Sequence, residues 1–183
     1  TNHRLMGYTE SHDKERLMYK NLQSGNSTNT THNVKTLNTA LSRMSAIGAV
    51  SLLVPGPKMI WHFGELGYDD SIFTCNNGTV NTSSDTATGD CKLDTKPQLQ
   101  WTNNWLANAN RFKIYSDWSK MIRLKTTEAV FSGTATITNA SSLLQTIKIT
   151  DASLPATSLK DVVIVANFDV TSKSVPTGFP YAG

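Results

Sequence analysis

The sequence predicts an α/β chain that runs into an all-β tail. Three observations predict it. A strand-helix-strand pattern fills the first 65 or so residues. The second strand of that pattern is almost continuously apolar. After residue 125 the helical periodicity gives way to short β-type runs broken by Gly, Ser, Asn and Pro.

The elements follow in order. "RLMGYTE" reads as a short buried strand from Arg4 to about Glu10, and "KERLMYKNLQ" as a short helix beginning just after Asp13. "SGNSTNTTHN" is a loop of turn formers. Val34, Leu37, Leu41, Met44 and Gly48 then recur at helical spacing, with Ala40, Ile47 and Val50 widening the stripe. This predicts a helix over Val34 to Leu53 with Asn33 as its N-cap. "PGP" at Pro55 to Pro57 ends it. "MIWHF", Met59 to Phe63, suits a strand buried on both faces, as in parallel sheets. A further helix is expected over Asn110 to Leu124, with Tyr115, Trp118, Met121 and Ile122 as its apolar face. Val130-Phe131, Ala135 to Ile137, "LLQTIKIT" and "DVVIVANFDV" predict about five short strands, an incomplete sandwich beginning at residue 126.

The 183 residues carry a formal net charge of +3 without a basic cluster, which gives no nucleic-acid footprint. No apolar run reaches the length of a membrane span. The abrupt start and end suggest a piece of a longer protein. Cys75 and Cys91 bracket "NNGTVNTSSDTATGD", a polar, loop-like segment. One disulfide is expected there in preference to a pair of free thiols, worth about 3 kcal/mol for such a closure, and with it an exported protein, periplasmic, cell-surface or secreted. A zinc site would need more ligands nearby. The N-x-S/T triplets at Asn77 and Asn81 carry little weight in so Asn- and Thr-rich a chain.

"ESHDKER" holds the chemistry-bearing side chains. Asp13 before a charged, helix-favouring run suits an N-cap, and His12, Glu15 and Arg16 suit ordinary surface groups. The alternative is a site at the carboxyl ends of parallel strands. His12 and Asp13 hold that position on the first strand, and His62, Phe63 and Glu65 on the second. Rings beside carboxylates suit a sugar: rings stack on its faces, and carboxylates bind its hydroxyls or handle protons.

At these residues the chain resembles the α-amylase family of glycoside hydrolases (family 13 type), in flavour those of Bacteroidetes-type bacteria. "ESHDKER" is similar to that family's fourth sequence region, a strand ending in a His-Asp pair. "VPGPKMIWHFGELGYD" is similar to its eighth barrel strand and following loop, usually G-x-P-x-x-x-x-G-x-E. "KPQLQW" and the helix after it resemble the stretch that closes the barrel, and "DVVIVANFDV" the β-domain behind it. The resemblance implies the last two βα units of a (β/α)8 TIM barrel over residues 1–125, strands 7 and 8 with their helices. Residues 126–183 would open a β-sandwich domain.

It also implies roles. Asp13 would be the transition-state-stabilising carboxylate of a retaining enzyme acting on α-1,4-glucosidic bonds of starch or a related α-glucan, and His12 would bind the same sugar. The nucleophile and the acid/base of that family come from earlier strands, so the parent would be the enzyme and this piece inactive alone. No cofactor is implied within the chain. Calcium is common in the family, with its usual ligands expected upstream of Thr1. Two departures stand out: Ser11 takes the place of a common Asn, and Glu65 follows Gly64 directly, so no catalytic role falls to it. The rival readings are a carbohydrate-binding module and a catalytically inactive member kept for binding.

Overall fold

A computed structural model describes residues 5–75, 80 and 99–176. The first strand is short: β1 covers Gly7–Tyr8. A loop leads to α1, Leu17–Ser24. Helices α2, Leu37–Ser42, and α3, Met44–Leu52, follow, then β2, Lys58–Met59. β1 and β2 pair in parallel, Gly7 with Lys58 and Tyr8 with Met59. Parallel pairing across a helical connection puts the exits of both strands at one edge. After β2 come a 3-10 turn at Gly64–Leu66, the short α4 at Leu99–Thr102 and the long α5, Ala109–Thr127. Three strands close the described chain: β3 Thr134–Thr138, β4 Leu144–Thr150 and β5 Asp161–Asn167, an antiparallel meander in the order β3-β4-β5.

The expected helix over Val34 to Leu53 is two helices. Asn33 does not cap it. Its Oδ1 accepts from the Lys35 N–H (2.9 Å) and its carbonyl from the Thr36 N–H (3.0 Å). These local bonds hold residues 33–36 in turns, so α2 begins only at Leu37. Val34 is buried outside the helix, against Gly25. Arg43 breaks the ladder: its N–H bonds the Ala40 carbonyl one residue early, at 3.3 Å, as in a tightened turn.

α5 is long because its start is capped and its interior is free of Gly and Pro. Asn108 Oδ1 accepts from the N–H groups of Asn110 (3.0 Å) and Arg111 (3.2 Å). It buries Arg111, Ile114 and Trp118, at three- and four-residue spacing, with Met121 packed beside them. Tyr115 and Ile122, expected on that face, point outward. The main core joins Met18, Ala40, Leu41, Met44, Leu52, Ile114 and Trp118. α3 crosses α5 at Gly48, where a Cβ would collide with the Trp118 indole, and Trp118 Nε1–H donates to the Met44 carbonyl at 2.8 Å.

The sheet face of Ile147, Ile149 and Ile164 packs on Leu53, Val130 and Phe131, with Val50 and Met121 at the margin. Val130 and Phe131 are no strand; they sit in a 3-10 turn, Ala129–Ser132, that plugs this core. Arg43 ties down the exit of β5. Its Nη2 donates to the Phe168 carbonyl (2.5 Å), and its Nη1 to the Asp169 carbonyl (3.2 Å) and to His32 Nε2 (2.9 Å). Asn29 Nδ2 donates to the Val170 carbonyl at 2.6 Å. No described helix is long and apolar enough to cross a membrane.

Candidate functional site at the strand exits

"MIWHF" is a strand only at its first residue. At His62 and Phe63 the backbone turns left-handed, φ 29° and 64°, and leads into the 3-10 turn. These are costly conformations for residues with side chains, and the surroundings must hold them. Arg16 does so. It is fully buried, and its Nη1 donates to the His62 carbonyl (2.8 Å) while its Nη2 lies 3.1 Å from His62 Nδ1. An arginine only donates, so Nδ1 is the acceptor and the imidazole carries its proton on Nε2. The guanidinium carbon lies 4.3 Å from the Trp61 ring centre and 3.9 Å from that of Tyr68, a double cation–π contact.

The anionic side of this cluster is Glu10, also buried. Its Oε2 accepts the first N–H of α1, Leu17 (2.9 Å), and its Oε1 lies 3.9 Å from Arg16 Nη1 with no hydrogen-bond donor among the described residues. Glu10, not Asp13, serves the start of the helix. Gly64 permits its approach, because a Cβ there would stand 2.6 Å from Glu10 Oε1. Burial raises the Glu10 carboxyl above the usual range; the Leu17 N–H and Arg16 oppose this, and Glu65 adds to it. Burial also lowers the Arg16 guanidinium, with Glu10 the main opposing charge. Glu15 reaches across as well, accepting from Ser71 Oγ (2.5 Å) and the Ile72 N–H (3.2 Å). Arg16 and Glu15 are therefore joints between the two exit loops, not the solvated charges their sequence suggests.

Further along, Arg111 anchors the second loop. It donates to the Leu66 carbonyl (2.9 Å) and to the Gly67 carbonyl, pairs with Asp69 (2.8 Å) and lies 4.0 Å over the Trp105 ring.

His12 and Asp13 stand outside this packing. His12 Nε2 and Asp13 Oδ1 are 3.0 Å apart, and the side chains are 76% and 71% exposed. Asp13 caps nothing: α1 begins four residues later, with no side-chain cap at Arg16. His62, Phe63 and Glu65 instead line a cleft of 390 Å³ with Tyr115 and Trp118 of α5. Neither His12 nor Asp13 lines that cleft, and Arg16, which holds His62, makes no described contact with either. The sequence brought out the exposed pair and the second-loop residues, but not Glu10, Arg16 or Arg111. The aromatic- and glycine-rich run "WHFGELGY", Trp61 to Tyr68, holds no cation of its own for its rings, and that is the signal that could have pointed to an arginine from elsewhere in the chain.

Cys75 is buried, and its expected partner Cys91 lies outside the described residues, as do Asn77 and Asn81. Among the described residues no group of three His, Cys, Asp or Glu is placed to hold a metal ion. Compared with family models and with curated proteins, the chain matches none.

Proposed function

We propose that the chain is the carboxyl-terminal part of a retaining α-glucan hydrolase of the α-amylase type, acting on starch or a related α-glucan. Asp13 stabilises the transition state, and His12 binds the same sugar. The nucleophile and the acid/base belong to a preceding part of the parent, so this piece alone does not turn over. In a retaining mechanism the glycosyl transfer passes through an oxocarbenium-like state. A third carboxylate serves it by bonding sugar hydroxyls and favouring the distorted ring.

One observation carries the reading. Asp13 is an exposed carboxylate at the exit edge of a parallel strand pair, beside a histidine and with no other side-chain partner among the described residues, while Glu10 and Glu15 do the packing. Ligand groups collect at the carboxyl ends of parallel strands. The resemblance of "ESHDKER" and "VPGPKMIWHFGELGYD" to two motifs of one family, in order, supplies the chemistry.

The test is Asp13→Asn in the full-length parent, assayed on soluble starch and melted in parallel. The expected result is a loss of kcat of about a thousandfold or more, comparable with losing a group that stabilises transition-state charge, and an unchanged Tm. Near-normal turnover removes the assignment. A parent without turnover on any α-glucan, yet binding one, supports the inactive-member reading instead.

A further inference from the structure

A second cavity lies beside the cleft and shares Ile60 and Ile122 with it. It measures 360 Å³, at the lower end of the range of small-molecule sites. Its walls are mostly apolar, from Leu52, Pro57, Ile60 and Ile122, and two lysines reach it, Lys58 and Lys125. The lysines come from different elements, the start of β2 and the last turn of α5.

Both amines hold carbonyls of the turn after α3. Lys125 Nζ donates to the Val54 (2.6 Å) and Gly56 (2.7 Å) carbonyls, and Lys58 Nζ to the Pro55 carbonyl (3.2 Å). An ammonium has three N–H donors, so donors remain on each. Neither lysine pairs with a carboxylate among the described residues. The arrangement is strained electrostatically. Burial, and then the charge of Lys58, lower the Lys125 amine to about 8, and burial lowers Lys58 as well. Two like charges partly withdrawn from water beside an apolar cavity, with no counter-ion among the described residues, depart from a rule that folds otherwise keep. An anion between them relieves both the repulsion and the burial cost.

We propose that this cavity binds an amphipathic monocarboxylate, a carboxylate on an unbranched apolar chain. The head sits between the Lys58 and Lys125 amines, and the chain lies along Leu52, Pro57, Ile60 and Ile122. The apolar walls favour a singly charged head with an apolar body over a strongly hydrated phosphate dianion.

The experiment is calorimetric titration of the natural full-length chain with three probes: decanoate, decanol and inorganic phosphate. Decanoate binds at one site and about tenfold or more tighter than decanol, as the loss of a charge-assisted hydrogen bond implies; phosphate does not bind. Lys58→Gln and Lys125→Gln each weaken decanoate about tenfold and leave decanol unchanged. Lys58 makes a single carbonyl bond, so Lys58→Gln carries the test if Lys125→Gln fails to fold. Equal affinity for decanoate and decanol, tight phosphate binding, unchanged decanoate binding in Lys58→Gln, or no decanoate binding overturns the proposal. No readout involves α-glucan turnover, so this result stands apart from the function proposed above.

Discussion

Arg16 joins the exits of both strands, and its replacement tests how much the site depends on that joint. Lysine keeps the charge but loses the planar stack on Trp61 and Tyr68 and the two-point hold on His62. Arg16→Lys is expected to cost about 3 kcal/mol, within the range for breaking a buried ionic cluster, read from denaturant unfolding. A loss below about 1 kcal/mol would mean that His62 and Phe63 are held by something else. Glu10 gives a pH signature. Its folded pKa is raised, so its stabilising contribution is complete below about 4.5 and is lost as pH rises through the raised value. Glu10→Gln removes that dependence while keeping an acceptor for the Leu17 N–H. The variant's Tm should therefore gain on the wild type's between about pH 4 and the raised value; parallel curves would show that Glu10 is not perturbed by the fold.

Among elements, α3 and α5 approach closely at Gly48. Gly48→Ala forces the Trp118 indole or the helix to move and is expected to cost about 1–3 kcal/mol, as overpacking does. Asn108→Ala at the start of α5 should cost about 1 kcal/mol. Chemical denaturation of both variants checks these values. An unchanged Gly48→Ala would mean that the helices slide apart freely. The same elements show what was legible. α5 could be read because its cap and its 3.6-residue period agree. Its buried face lies one step around from the expected one, because the aromatic Phe112 and Tyr115 are exposed while Arg111 and Ile114 beside them are buried. "MIWHF" misled because an apolar run does not distinguish a buried strand from a loop whose rings stack on an arginine. His12 and Asp13 were legible as a pair of adjacent chemical groups. Glu10 and Arg16 were not, because their meaning lies in partners far along the chain, from Trp61 and His62 for Arg16 to Gly64 for Glu10.

For the whole molecule, apolar side chains are left facing water on β1, on the residues just before it and on α5. Leu5, Met6, Tyr8, Phe112, Tyr115 and Ile122 are exposed, and β1 pairs with β2 alone among the described strands. Exposed apolar area of this kind drives association, and an unpaired strand edge assists it. The chain expressed alone is expected to form oligomers or aggregates by light scattering and to leave soluble starch uncut. A monodisperse monomer with turnover would overturn both expectations. Pairing of Cys75 with Cys91 remains expected in exported protein; non-reducing peptide mapping that finds both thiols alkylated would remove it.

Arg43 has a consequence for how this chain can be recombined. The β-meander completes its core with Leu53 from the helical part, and its exit is bolted by Arg43 through the Phe168 and Asp169 carbonyls. The sheet is thus not an interchangeable cassette. A chimera joined at residue 126 and carrying a foreign sheet inherits a guanidinium with no carbonyls to hold and an apolar patch cut for another surface. Grafts that transplant the segment from Arg43 to Leu53 together with the sheet should yield soluble protein, and grafts of the sheet alone should not.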